Sequence, residues 1–194
     1  MPKQTPSQTV GPFFAYALTP QPYGRRGIAG AALAGRDAAG ERIRLEGQVF
    51  DGAGQPVPDA VVEIWQADAA GRYGHPADGR PGAAPDPHFT GFGRAGTDEE
   101  GGFAFETVKP GPPGDGQAPH VNVTLFARGL PSHVFTRVYF ADEAAANAGD
   151  PLLRRVPEER RATLLAARRT TPAGVVYRFD IHLQGEAETV FLDA

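Results

Sequence analysis

The sequence predicts an all-β domain: an antiparallel β-sandwich of two sheets with an extended amino-terminal arm, long loops and one or two short helices. Three observations lead there. Twenty-five glycines and 19 prolines make up more than a fifth of 194 residues, a load that suits many short strands joined by tight turns better than it suits helices. Seven or eight segments alternate apolar and polar residues with the period of a half-buried strand. Only one stretch, PEERRATLLAARR, reads as a firm helix, with Pro157 in the first turn and acidic residues preceding basic ones.

In chain order, residues 1–40 are turn-rich, weakly periodic and aromatic, with Phe13, Phe14, Tyr16 and Tyr23. They predict an arm that gains order by packing on a neighbouring partner subunit, with a disordered tail as the other reading, and residues 41–194 predict the sandwich itself. RIRLEGQVF alternates, with Ile43, Leu45, Gly47 and Val49 on one face and Arg44, Glu46 and Gln48 on the other. DGAGQPVP reads as a hairpin turn in which Asp51-Gly52 and Gly54 supply positive φ values, and AVVEIWQAD as the return strand. From Ala69 to Thr97 the chain predicts a long loop, a candidate wall of a site. FAFETV is a strand and KPGPPGDGQ a loop. In APHVNVTLFARG the core takes Val121, Val123, Leu125 and Ala127, leaving His120, Asn122, Thr124, Phe126 and Arg128 on the other face. VFTRVYF and VVYRFDIHLQG are further strands, DEAAANA a brief helix, and ETVFL a closing segment.

With 41% apolar and 22% charged residues, 194 residues suffice for one substantial core. A formal charge of −4 disfavours a nucleic-acid or anionic-membrane partner. No run approaches a membrane span and the amino terminus lacks a cationic region followed by an apolar one, so the expected location is cytoplasmic. The absence of cysteine leaves His, Tyr, Asp and Glu as the metal ligands available. The histidines at 75, 88, 120, 133 and 182 contain no i, i+2 or i, i+4 pair. His182 reads as solvated or hydrogen-bonded, and His75 and His88 as structural loop residues. His120 stands apart because the loop carrying Tyr73 can reach its neighbourhood.

Four runs, LEGQVFDGAGQPVPDAVVEIWQADAAGRY, FGRAGTDEEGGFAFETVKPG, APHVNVTLFARG and RVYFADEAAANAGDPLL, together with the terminal segments TPSQTVGPFF and YRFDIHLQGEAETVFLD, resemble the intradiol ring-cleaving dioxygenases in the family's own order. The resemblance implies a β-sandwich. It also implies a ferric ion held by two tyrosines and two histidines, a suitable set because phenolate oxygens stabilise and neutralise a hard cation while imidazoles fill the remaining positions. Catecholate binds that iron through both oxygens, and dioxygen cleaves the ring between the two hydroxyl-bearing carbons.

Carried onto this sequence, the first tyrosine falls on Tyr73 and the first histidine on His120. The second tyrosine falls at Pro112-Pro113, with Pro113 standing where a phenol is needed, and the second histidine falls on Asn122, whose amide is a poor substitute for imidazole. Tyr73 and His120 are therefore vestigial positions, the ligands at 113 and 122 are lost, and no metal or catalytic residue is expected on this chain. Recruiting His133 or Tyr139 would need a rearranged site. The resemblance is strongest to the α chains of the family's two-chain enzymes, whose partner β chain carries Fe(III). It implies that Thr9, Gly11, Pro12 and Arg128 of this chain help form the substrate pocket beside that iron. Arg128 is a fitting partner for a substrate carboxylate in a partly desolvated cleft. Phe13 stands where some α chains have tyrosine, which removes a phenol hydrogen bond. The implied partners are the β subunit and a small aromatic substrate, in a higher-order αβ oligomer. Two other readings are a self-sufficient iron dioxygenase with altered ligands and a transthyretin-like binding module, the latter suggested by GQVFDGAGQPVPDAVVEI alone.

Overall fold

The computed structural model describes residues 13–82 and 84–193, with side chains from residue 16 onward. Nine strands follow a short helix α1 (Phe13–Leu18): β1 (Arg42–Phe50), β2 (Val61–Gln66), β3 (Phe92–Gly96), β4 (Gly102–Val108), β5 (His120–Phe126), β6 (Val134–Phe140), β7 (Leu165–Thr171), β8 (Gly174–Arg178) and β9 (Ile181–His182). A second helix, α2 (Ala144–Gly149), and 3-10 turns at Leu153–Arg155 and Glu158–Leu164 lie between β6 and β7.

Hydrogen bonding runs along one path, β3-β2-β5-β6-β7-β8-β1-β4, with β9 beside β1. The path doubles over at β7. Leu165 and Ala166 pair with Tyr139 and Phe140 of β6, and Ala167 to Thr171 then pair with β8. Two layers result, β3-β2-β5-β6 and β8-β1-β4, and their inward side chains form one core. Leu45, Val49, Phe105 and Tyr177 come from one layer and Val62, Ile64, Val123, Leu125 and Phe140 from the other. Each such aliphatic side chain contributes about 1.5–3 kcal/mol by leaving water. Leu33 joins this core at 1% exposure, held by Leu33 N–H to Glu106 O at 2.9 Å, so the chain enters the sandwich before β1 begins. A smaller cluster of Ala118, Tyr139, Leu153, Val156 and Leu164 packs around the α2 region.

The all-β sandwich is as predicted, and the alternation in β1 and β5 falls on the expected faces. Several details differ. The sheets are mixed rather than antiparallel, because β1 runs parallel to β8 and β9, and β6 parallel to β7. These pairs arise where the chain returns from the other layer, which no local turn dictates. The segment 42–68 is a hairpin only at its turn. Asp51 N–H bonds Gln55 O and Val57 N–H bonds Val49 O, after which β2 departs to pair with β3 and β5. Only Gly54 has positive φ there, while the Asp51 carboxylate accepts from Ala53 N–H and Gln55 N–H and does the remaining work of the turn. The loop from 69 to 97 contains β3, which pairs Gly93 with Ile64 and Ala95 with Val62. The predicted helix at 157–169 is a 3-10 turn followed by β7. Alanine and arginine favour helix locally, yet the pairing partners that complete both sheets outweigh a propensity of a few tenths of a kcal/mol per residue.

No helix among the described residues is long and apolar enough to cross a membrane.

Candidate functional site

Three neighbouring strands place the residues of interest side by side. Trp65 on β2 lies opposite Asn122 on β5, and Asn122 lies opposite Arg137 on β6. Alternation turns all three away from the main core. Two residues along, His120 lies opposite Tyr139. The long loop then brings Tyr73 over the strands, its ring stacked on Trp65 at 5.8 Å with 15° between the planes.

A carboxylate frame holds that loop. Asp68, 3% exposed, accepts from Ala70 N–H and Arg72 N–H through one oxygen and from Asp86 N–H through the other. Its carbonyl accepts from Gly71 and Gly111, tying the Tyr73 loop to the segment that carries Pro113. Asp78 accepts the backbone N–H of Tyr73 at 2.8 Å and the Arg80 Nε–H at 2.7 Å. These contacts, the arginine's first, hold its carboxyl well below the usual range. Arg80 also donates to the carbonyls of Gly71 and Pro113. A cleft of about 590 Å³ opens here, lined by Trp65, Tyr73, Arg80, Pro113, Asp115 and Gln117 among others, within the size range of small-molecule pockets.

Tyr73 and Pro113 line this cleft together, and Asn122 lies opposite Trp65, the ring on which Tyr73 stacks. The donor set does not fit a ferric ion. Burial pushes the Tyr73 phenol up. Pro113 has no donor atom. Asn122 is engaged at both ends, its amide donating to Trp65 O at 3.2 Å and its oxygen accepting from Arg137 Nε–H at 2.9 Å. His120, 2% exposed, bonds Ala118 O through Nδ1 at 2.8 Å, which makes Nε2 an acceptor; that atom is buried without a partner. Burial first, and the charge of Arg137 second, lower the His120 pKa to about 4. Among the described residues no group of three His, Cys, Asp or Glu side chains is arranged to hold a metal.

The two substitutes considered from sequence lie elsewhere or are occupied. His133 sits between Phe126 and Phe135, ring centroids 5.3 and 4.7 Å away, at the far end of the β5–β6 pair. Tyr139 is buried against His120 and its hydroxyl donates to Asp150 at 3.0 Å. Arg128 stands just past the end of β5. It is eight residues beyond His120, about 26 Å at strand rise, and pairs with Asp59 at 2.6 Å with its side chain 73% exposed. Thr9, Gly11 and Pro12 lie outside the described residues, and Phe13 opens α1 with its side chain likewise outside them. Sequence reasoning missed Arg137, Gln117, Asp78 and Arg80. For Arg137 a signal existed: one arginine in the otherwise apolar run VFTRVYF is costly to bury without acceptors.

The sandwich, with Tyr73, Pro113, His120 and Asn122 near one end of the β2–β5–β6 layer, has the architecture of a ring-cleaving dioxygenase. The chain belongs to the intradiol ring-cleaving dioxygenase family, matching the family described as dioxygenase over residues 11–185. It is 53% identical over 196 residues to the protocatechuate 3,4-dioxygenase alpha chain of Burkholderia cepacia, covering 98% of both chains. To the alpha chain from Pseudomonas putida it is 44% identical over 199 residues, covering 98% of this chain and 96% of that one. The beta chain of the Burkholderia cepacia enzyme is 39% identical over 168 residues, 81% of this chain and 71% of that one. Among solved structures, the dioxygenase domain of a carbohydrate-binding fusion from Streptomyces sp. SirexAA-E superposes with a TM-score of 0.63 at 25% identity, covering 94% of this chain and 99% of that one. An intradiol ring-cleavage dioxygenase from Tetranychus urticae superposes at 0.64 with 20% identity over 93% and 94% of the two chains, a likeness of fold.

Proposed function

We propose that this chain is the non-catalytic α subunit of a protocatechuate 3,4-dioxygenase. The observation that carries this reading is the 53% identity over 98% of both chains to an alpha chain of that enzyme, in a protein whose own frame cannot hold iron. In this reading Fe(III) belongs to a β subunit, and protocatechuate is cleaved there by dioxygen, between its hydroxyl-bearing carbons, to 3-carboxy-cis,cis-muconate. The α chain contributes the Thr9, Gly11 and Pro12 turn and the Arg128 guanidinium to the wall of that pocket. The exposed position of Arg128 supports this role, because a rim cation leaves its guanidinium available to a carboxylate arriving from outside the chain.

The segment up to residue 30 packs on the β subunit as an arm, while Leu33 already belongs to the sandwich core. Among the described residues the exposed large apolar side chains are Tyr16, Tyr23 and Ile28, the last 96% exposed, and all three lie in this segment. Such a cluster is what a subunit contact would cover. The αβ units associate into a larger symmetric particle, located in the cytoplasm.

The experiment is to express the chain with and without the β subunit. Alone it should carry no iron, lack the visible phenolate-to-iron band and leave protocatechuate uncleaved. Together the two chains should co-purify as a coloured, active complex. A coloured and active single chain would overturn the proposal.

A further inference from the structure

The fate of the site that this chain has lost is legible in Arg137. We propose that Arg137 locks the vestigial frame against metal: its guanidinium supplies, fixed to the protein, the positive charge that the frame would otherwise take from an ion. The inference rests on the assignment of Tyr73, Pro113, His120 and Asn122 to the four ligand positions.

Arg137 emerges from the middle of β6 directly opposite Asn122, so the register alone puts its side chain at one of the lost ligand positions. Its Nε–H donates to Asn122 Oδ1 at 2.9 Å and its Nη1–H to Gln117 Oε1 at 3.1 Å. Amide oxygens from two segments are thus gathered around a half-buried cation. Among the described residues no carboxylate pairs with it directly, and the buried Asp150 accepts from the Tyr139 hydroxyl instead. Its field reaches both retained ligand positions, favouring neutral imidazole at His120 and acting on the Tyr73 hydroxyl. The unpartnered Nε2 of His120 fits the same picture, since the lone pair of a retained imidazole has lost the cation it would have served.

Loss of two ligands would by itself leave a weak site, in which Tyr73, His120 and the Asn122 oxygen could still receive an ion. A guanidinium bonded to that amide oxygen removes the third donor and repels any cation approaching the other two. Simple decay of the ligands therefore accounts for less of the arrangement than replacement of the ion by a side chain.

The test compares the full chain carrying Pro113→Tyr and Asn122→His with the same chain carrying Arg137→Gln in addition. Each is expressed without the β subunit, incubated with ferrous iron in air and desalted. The triple variant should retain at least tenfold more iron and show a visible phenolate-to-iron band, while the double variant stays colourless. Equal iron in both variants would overturn the proposal, as would a triple variant with native circular dichroism that holds none. Should the triple variant not fold, Arg137→Gln alone should bind cobalt(II) at least tenfold more tightly than the native chain, and unchanged affinity overturns the proposal. The subunit assignment is read independently, from ring cleavage by the unaltered chain with its β subunit.

Discussion

His120 opens β5 and Arg128 lies in the turn just past its end, and the two pose opposite physical problems. Arg128 is solvent-exposed and, among the described residues, pairs with Asp59. Exposed ion pairs of this kind contribute roughly 0–1 kcal/mol, so little opposes exchange of Asp59 for a substrate carboxylate. Arg128→Ala should weaken binding of carboxylated catechols to the αβ complex by about 1.5–3 kcal/mol and affect unsubstituted catechol far less. Binding titrations with both ligands measure the difference, and equal losses would argue against carboxylate pairing. His120 is buried with a pKa lowered to about 4 from an ordinary 6.5. The unfolded chain therefore takes up a proton first as pH falls. Stability is fully present above about pH 6.5 and declines toward pH 4, by up to about 3 kcal/mol for a shift of this size. Denaturant unfolding between pH 7.5 and 4.5 should show that slope, and His120→Gln should flatten it. The role of Arg128 is implied by resemblance at the level of sequence. The burial of His120 is not legible there, because alternation assigns it to the outer face and the Tyr139 ring packed on it is brought by the distant β6.

At the scale of elements, the close approach of β1 to the β8–β9 segment depends on one glycine. A Cβ on Gly47 would stand 1.7 Å from Phe179 O, a backbone atom that cannot move aside without breaking the Phe179 N–H bond to Glu46 O. Gly47→Ala should cost about 2–3 kcal/mol through forced backbone displacement, measured as a fall in thermal midpoint of the purified complex. In the sequence Gly47 reads as one more inward position of an alternating strand, and nothing local marks the crowding. β7 makes the same point from the other side. LLAARR has helix-forming residues, but Leu165 and Ala166 complete the β6 layer while Ala167 to Thr171 complete the β8 layer. A segment whose partners are distant in sequence takes the conformation those partners require. By contrast β1, and β5 from Val121 onward, were legible because their burial follows a period of two.

For the whole molecule, the arm and the sandwich face different surroundings. The core is closed by Leu33 and the strands, while Tyr16, Tyr23 and Ile28 remain exposed outside it. Deletion of residues 1–30 should leave the sandwich folded by circular dichroism and abolish or sharply reduce co-purification with the β subunit. Undiminished assembly would remove the arm from the contact. Composition, the period of the strands and the runs shared with the dioxygenases were enough to establish an all-β member of that family, because these properties reside in residue identity and local spacing. The tertiary structure decided the parallel pairings, the doubling at β7 and the arrival of Arg137 beside Asn122. Each depends on which distant strands become neighbours, and that is settled by burial of the shared core rather than by any residue's own preference.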